Sequence, residues 1–248
     1  MGVHSRYDGQ GPEAYFPGAR SPSRRLFVAL AAILTLITAE TCMADQGIYR
    51  LPQPPSASDG GLTGILQERR TTRAFAPQPL SLAEAAQLLW AAQGISSPQG
   101  LRTAPSAGAL YPLELHLVAG NVAGLASGHY RYVPAQHALQ AVQAGDMRRG
   151  VAQAALDQAW VAEAPAVVVV TAIDSRTTAK YGPRGVRYVH MEVGHASQNL
   201  LLQAVALGLG AAVVGAFDDV DLKQLLRLPG EEHPLAILPV GHPRSQDR

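Results

Sequence analysis

The segment Gln67-Glu68-Arg69-Arg70-Thr71-Thr72-Arg73-Ala74-Phe75 concentrates three arginines and two threonines between two stretches with helical spacing. An arginine side chain binds phosphate oxygens through paired, charge-assisted hydrogen bonds, and threonine hydroxyls add neutral donors. The segment therefore suits a phosphate monoester. Taken alone, it is more often the solvated basic end of a helix, so the rest of the chain must distinguish the two interpretations.

The composition of the 248-residue chain is that of a folded protein with a sizeable core. It is 47% hydrophobic and 16% charged, with a net charge of +1. That charge argues against nucleic-acid binding, which requires many phosphates to be neutralised. The single cysteine, Cys42, excludes an intrachain disulfide framework and multi-cysteine metal sites.

The first 44 residues have the pattern of an export leader. A polar segment is followed by Arg24-Arg25 and an uncharged apolar run from Leu26 to Ala39. Fourteen residues suit the hydrophobic region of a signal peptide better than a membrane span, and the paired arginine resembles a twin-arginine signal. We expect export to the periplasm without a stable membrane span, or a cytoplasmic protein if the leader is not functional. Whether the leader is cleaved before Asp45 stays open.

Residues 45–60 predict a proline-rich linker, and residues 61–248 predict one domain. Hydrophobic spacing predicts helices over 62–69, 81–94, 146–163, 188–207 and 219–226, and strands over 113–118, 130–133, 139–142, 166–173, 211–217 and 235–240. The strand at 113–118 is expected to be half-buried and the strand at 166–173 buried on both faces. Helices and strands without a regular alternation indicate an α+β domain.

Three further motifs are candidates for chemistry. The small residues of Ala104-Pro105-Ser106-Ala107-Gly108 allow the backbone to approach a flat ligand closely. Lys180-Tyr181, in a predicted polar loop over 177–187, offers two acid/base groups. His190, Glu192 and His195 are two and five residues apart, so they fan around a helix and are more typical of packing than of metal ligation.

Together these stretches resemble the nitroreductase family of flavoproteins, and specifically its SagB-type branch, which includes thiazole- and oxazole-forming peptide dehydrogenases. The resemblance extends over about residues 61–244 in matching order. The matching segments are 69–75, 104–112, 180–182, 194–200, 207–210, 215–219 and 239–241. The chain departs from many family members at Gly215, where they carry Glu, and follows the SagB-type branch there.

The resemblance implies a nitroreductase-like α+β fold, with a mostly antiparallel sheet flanked by helices, in an intertwined homodimer that binds two FMN molecules at its interface. It assigns the FMN phosphate and ribityl chain to Arg69, Arg70, Thr71 and Arg73, with Arg244 completing the phosphate site. It assigns the isoalloxazine ring to Pro105, Ser106, Ala107, Gly108 and Leu110 of the partner subunit. Gly215 and Ala216 are expected along the ring edge near N5. No metal is expected.

The implied activity is that of an FMN-dependent oxidoreductase that transfers hydride to or from flavin N5, with NAD(P)H as a candidate reductant. Lys180 and Tyr181 match the pair that assists proton removal in the SagB-type branch. Two alternatives stay open. One is the peptide thiazoline/oxazoline dehydrogenase proper, and the other is a flavin-binding protein of this fold without redox turnover.

Overall fold

The computed structural model describes residues 61–244. The predicted leader and linker, residues 1–44 and 45–60, lie outside the described residues, so both stay predictions. No helix of the described part combines the length and the apolar character that crossing a membrane requires.

Within residues 61–244, six strands form one sheet in which all neighbours are antiparallel. Its spatial order is β5-β4-β2-β6-β8-β7. The strands are β2 (Leu113–Ala119), β4 (Gly128–Val133), β5 (Ala138–Ala144), β6 (Ala166–Ala172), β7 (Gly210–Ala211) and β8 (His233–Gly241). Two short strands, β1 (Leu80–Ser81) and β3 (Val122–Ala123), pair in parallel apart from this sheet.

The helices cover both faces of the sheet. They are α1 (Leu62–Glu68), α2 (Leu82–Gln93), α3 (Arg148–Ala154), α4 (Trp160–Glu163), α5 (Ser175–Tyr181), α6 (Arg184–Ala206) and α7 (Asp219–Leu225). Alternate residues of β6 point to opposite faces, as in any strand. Val168 and Val170 pack in a core with α2 and α6, whereas Val167 and Val169 pack in a second core with α3, α4 and α7. The predicted α+β fold and the doubly buried strand β6 are confirmed.

Local signals predicted several boundaries correctly. The Ser81 hydroxyl accepts from the Glu84 amide, and the Glu84 carboxylate accepts from the Ser81 amide at 2.7 Å, so the capping box begins α2. Gly94 ends this helix, as expected. The hairpin β4–β5 turns through Pro134–Gln136, also as expected.

The prediction that the strand at 113–118 is half-buried is wrong. Within β2 only Glu114 is partly exposed, and the polar His116 is buried. The reason is its place between β4 and β6 in a sheet covered on both faces. Alternating polar residues predicted a solvated face, but His116 is instead paired with the carboxylate of Glu232 at 2.6 Å.

Three further predictions needed correction. The helix over 146–163 is divided into α3 and α4, because Leu156 and Asp157 adopt positive φ. The strand over 211–217 stops at Ala211. Beyond it, the Ala212 amide donates to the Pro239 carbonyl of β8, and Val214 pairs with Ile237 as an isolated bridge. The predicted loop over 177–187 is helical. It contains the end of α5 and the first turn of α6, separated by a turn at Gly182.

Candidate functional site

The arginine-rich segment lies against one end of β8. Thr71 pairs with Ala211 of β7, and the Thr72 amide donates to the Ala211 carbonyl at 3.1 Å. On the other side, the Arg244 amide donates to the Ala74 carbonyl at 3.0 Å. The sequence places Arg69 to Arg73 and Arg244 far apart, and the fold brings the two together where β8 ends.

Close packing requires glycine beside this segment. A Cβ atom on Gly210 would overlap the side chain of Thr72. Thr72 is buried, whereas Thr71 is exposed and available to a ligand. The two threonines therefore have different roles. Thr72 anchors the segment, and Thr71 faces solvent.

The arginine side chains take different directions. The Arg73 guanidinium lies 5.7 Å from the centre of the Trp160 ring, and the Arg244 Nη2 lies 3.8 Å from a carboxylate oxygen of Glu163, so both border α4. Arg70 folds back and donates to the carbonyls of Gln67 and Arg69 at 2.8 and 2.9 Å. Arg69 is half-buried. Arg73 and Arg244 are thus brought together, while Arg70 is directed to its own backbone.

The small-residue segment forms a strained loop before β2. Gly108, Ala109 and Tyr111 all adopt positive φ, at 64°, 54° and 48°. Such values are costly for residues other than glycine and persist only where surrounding contacts impose them. The Tyr111 amide donates to the Ser106 hydroxyl at 2.9 Å, which closes the loop on itself. We call residues 102–111 the ring loop.

The predicted pair Lys180-Tyr181 lies directly beside the ring loop of the same chain. The Tyr181 hydroxyl and the Lys180 ammonium are 2.8 and 3.0 Å from the position of a Cβ atom on Gly108. Both residues end the helix α5, not a loop as predicted from the sequence. The Tyr181 ring packs edge-on against Tyr188 at 5.2 Å, which fixes its direction.

Gly215 and Ala216 follow Val214 and face solvent. No non-neighbouring atom of the described chain lies within 4 Å of a Cβ position on Gly215. The Gln158 side chain donates to the Ala216 carbonyl at 3.3 Å and holds the turn. The segment is therefore open to a flat ligand. Pro105, Gly108 and Ala109 are likewise exposed, and Ser106, Ala107 and Leu110 are half-buried.

The sequence did not reveal a polar cluster beneath the ring loop. Glu192 of α6 is only 2% exposed. Burial raises the pKa of Glu192 to about 7, and the neighbouring Ser106 hydroxyl, the Arg102 charge and the Gln93 amide oppose that rise. Burial likewise lowers the pKa of Arg102, although Glu114 and Glu192 act against it. The sequence offered one signal for this cluster, which was a glutamate on the face of an apolar helix that is expected to be buried.

His190 and His195, considered above as metal ligands with Glu192, are both exposed on α6, whereas Glu192 is buried. In the part of the chain that the structure describes, no group of three or more His, Cys, Asp or Glu side chains could hold a metal ion. The three residues therefore do not act as a unit.

Comparison with known proteins identifies the family. The sequence profile of the Nitroreductase family matches residues 66–242. This chain belongs to the nitroreductase family. A Methanocaldococcus jannaschii protein, provisionally named as a nitroreductase, is 42% identical over 189 residues, which are 76% of this chain and 94% of that protein. Family membership makes the chain an oxidoreductase by class, with the nitroreductase-like fold.

Two solved structures share this fold at lower identity. A chain of the Escherichia coli microcin synthetase complex McbBCD superposes with a TM-score of 0.66 at 24% identity, covering 86% of this chain and 82% of that one. The Vibrio harveyi NADPH:FMN oxidoreductase, solved with NAD+, superposes with a TM-score of 0.55 at 20% identity, covering 75% of this chain and 69% of that one. Both likenesses concern the fold.

Proposed function

We propose that this nitroreductase-family protein is an FMN-dependent oxidoreductase of the SagB type, which works as a homodimer and transfers hydride to or from flavin N5. The observation that carries the proposal is the convergence of Gly108, Lys180 and Tyr181. It sets two proton-handling groups at the edge of a loop suited to a flat ring. Bound flavin supplies the redox chemistry, and the protein supplies binding, orientation and proton transfer.

The phosphate of FMN fits the segment beside β7. Arg73, Arg244 and the exposed hydroxyl of Thr71 border one end of β8 and offer charged and neutral donors of the kind that phosphate binds. Gly215 and Ala216 lie open further along the same edge, where a ring attached to that phosphate would pass. Riboflavin lacks the phosphate, so it provides a natural comparison ligand.

We infer that the two ends of such a site come from two chains. The ring loop precedes β2. The first residue of β2 pairs with Ala172 of β6, and Ala172 pairs with His233 at the start of β8. The arginine segment lies beyond Gly241, at the other end of β8. At about 3.3 Å per residue, these two ends of β8 are roughly 26 Å apart. An extended FMN molecule is shorter than this distance. This separation supports a site in which the ring loop of a second chain completes the arginine segment of the first.

An exposed apolar surface supports the association of two chains. Leu62 and Leu66 of α1 are 64% and 51% exposed. A hollow of about 280 Å³ beside them is lined by α1, α2 and α6, and it includes Thr103 at the base of the ring loop. Obligate dimer interfaces are apolar and resemble a core divided between two chains.

Lys180 and Tyr181 are assigned to proton handling on the substrate. Their polar ends lie at the exposed Gly108, on the side of the loop that a substrate can reach. A positioned lysine or tyrosine contributes general acid/base catalysis when it meets the reacting group. NAD(P)H is the candidate reductant, in keeping with the NADPH:FMN oxidoreductase that shares the fold.

A second candidate is dehydrogenation of thiazolines or oxazolines in peptides. The Lys180-Tyr181 pair beside Gly108 favours it, because it matches the pair of the SagB-type branch, and a microcin synthetase chain shares the fold. This reaction removes a hydride and a proton from the substrate. A cyclised peptide as substrate therefore separates it from reduction of small molecules by NAD(P)H.

Export to the periplasm through the twin-arginine leader is part of the proposal, since that route carries proteins that have already folded around a cofactor. Reading the N-terminus of the protein from native cells tests it. Detection of Asp45 as the first residue supports cleavage. An N-terminus upstream of Ser23 contradicts export by this leader with cleavage.

The cofactor assignment is tested on purified full-length protein. We expect a yellow preparation with an oxidised-flavin spectrum, from which denaturation releases FMN. Repeated bleaching and recovery with NAD(P)H and an acceptor supports the oxidoreductase, whereas stoichiometric bleaching alone supports the flavin-binding alternative. A colourless protein that refuses added FMN contradicts the proposal.

A further inference from the structure

We propose that Glu192 is a positioning residue whose buried carboxyl group holds the ring loop in its ligand-binding conformation. Glu192 lies on α6, four residues after Tyr188, so both face the same side of that helix. Tyr188 supports Tyr181, and Glu192 lies beneath Ser106. One face of α6 thus supports the two parts of the proposed ring site.

The ring loop needs such support because its backbone is strained. Two residues other than glycine, Ala109 and Tyr111, adopt positive φ, which costs free energy that other contacts must offset. The two ends of the loop are joined, since the Arg102 amide donates to the Tyr111 hydroxyl at 3.2 Å and the Arg102 guanidinium lies 4.6 Å from the Tyr111 ring centre. What remains is to hold the middle of the loop, where Ser106 lies.

The Ser106 hydroxyl is arranged to donate to Glu192. Its oxygen already accepts the Tyr111 amide at 2.9 Å, so its own proton is available for the carboxylate. The carboxyl group therefore acts through Ser106 on the backbone at Tyr111, and hence on the conformation between them.

Gln93 connects the same carboxylate to the base of the loop. Arg102 Nη1 donates to Gln93 Oε1 at 2.8 Å, which turns the amide nitrogen of Gln93 toward Glu192. Among the described residues, Gln93 Nε2 and Glu192 Oε1 are buried atoms without a hydrogen-bond partner. Because one atom is a donor and the other an acceptor, a small shift of the loop on ligand binding would let them form a hydrogen bond.

The ionisation of Glu192 then controls how firmly the loop is held. The charged group that acts on it is Arg102, which follows α2. Glu114, Tyr111 and Arg176 act on Arg102 in turn. Burial brings the pKa of Glu192 to about 7. Ionisation places a charge that the buried site disfavours, so the loop is held below this pH and released above it.

The inference rests on the proposed FMN site only for its consequence, which is pH-dependent flavin affinity. The test uses the wild-type protein, E192Q, which keeps an uncharged acceptor, E192L, which removes it, and S197A. Ser197 is a buried hydroxyl on the same helix with no hydrogen-bond partner in the described chain, so S197A is a matched control for perturbing α6.

Two measurements are made on each protein between pH 6 and pH 8.5. The first is tryptic cleavage of the apoprotein after Arg102, whose side chain is held in the loop. We expect E192L at pH 6 to be cleaved about tenfold faster than the wild type and S197A, because it loses the hydrogen bond between Ser106 and the protonated carboxyl group. The second is the Kd of FMN, which we expect to rise about tenfold from pH 6 to pH 8.5 in the wild type and to stay flat in E192Q.

The outcomes separate this inference from the cofactor proposal. Equal cleavage after Arg102 in the wild type, E192L and S197A overturns the inference whatever the protein binds. FMN binding with the same pH profile in the wild type and E192Q also overturns it, and leaves the cofactor proposal intact. Faster cleavage of E192L in a protein that binds no FMN supports loop positioning by Glu192 and contradicts the FMN site.

Discussion

The hydroxyl oxygen of Tyr181 lies 2.8 Å from the position that a Cβ atom on Gly108 would occupy. The two residues are far apart in sequence, and this contact joins the ring loop to the end of α5. A side chain at position 108 would therefore displace Tyr181, Lys180 or the loop itself. The contact makes Gly108 a sensitive probe of the proposed site.

We predict that Gly108→Ala lowers kcat/KM by at least about tenfold, because displacement of a catalytic group by even a small distance costs rate. Alanine at φ 64° also costs about 1–2 kcal/mol of stability. Gly100→Ala is the matched control, since Gly100 has φ 78° and no non-neighbouring described atom within 4 Å of its Cβ position. Steady-state kinetics and thermal melts are compared. Equal loss of activity in both variants would refute a specific role for the Gly108 contact.

Lys180→Ala and Tyr181→Phe are expected to lower kcat by about 10²–10⁴-fold, the usual contribution of a general acid or base. The flavin spectrum and the FMN affinity should be retained, because neither side chain is assigned to the phosphate. The control is Lys223→Ala on α7, where the ammonium donates to the Gly230 carbonyl at 2.7 Å. Unchanged turnover in Lys180→Ala under every assay would show that the lysine takes no part in proton handling.

Arg73→Ala and Arg244→Ala are expected to weaken FMN binding by about tenfold or more, since each removes a charge-assisted contact worth about 1.5–3 kcal/mol. Riboflavin has no phosphate, so its affinity should not change. Arg149→Ala, an exposed arginine on α3, is the control. Fluorescence titration measures both ligands. If FMN and riboflavin weaken equally, these arginines do not bind the phosphate.

The buried pair His116 and His129 predicts acid sensitivity of folding. Burial and the neighbouring His116 lower the pKa of His129 to about 4, and the two rings are 2.7 Å apart between nitrogens. Because the folded pKa lies below the unfolded value of about 6.5, this stabilisation is complete above pH 6.5 and is lost as the pH falls toward 4. The loss amounts to about 3 kcal/mol at most.

Urea unfolding at pH 7.5 and pH 5 measures this effect. Glu232 contributes at lower pH, because burial raises its pKa but hydrogen bonds from His116 and Thr171 outweigh that and hold it below its usual range. His129→Gln should flatten the fall in stability between pH 6.5 and 5, whereas the exposed His190→Gln should not. An unchanged slope in His129→Gln would assign the acid sensitivity to other groups.

The sequence indicated the fold where its signals were local. The Val-rich run that became β6, the capping box at Ser81 and the hairpin at Pro134 each depend on a few adjacent residues. Burial of His116 was not predictable, since it depends on Glu232, which is distant in sequence. The motifs named Ser106 and Lys180 as candidates but did not predict their contacts. Ser106 lies beside Glu192 and Lys180 beside Gly108, and in each pair the partner belongs to a different element of the fold.

Mixing two inactive variants tests whether the site is shared between chains. In a two-fold symmetric dimer, a heterodimer of an Arg73→Ala chain and a Lys180→Ala chain has one site with both changes and one site with neither. Random reassociation makes half of the dimers heterodimers, so the mixture should regain about a quarter of wild-type activity. Each variant unfolded and refolded alone is the control. Activity that stays at the level of the separate variants would mean that one chain forms the whole site, contrary to the separation of the arginine segment and ring loop along β8.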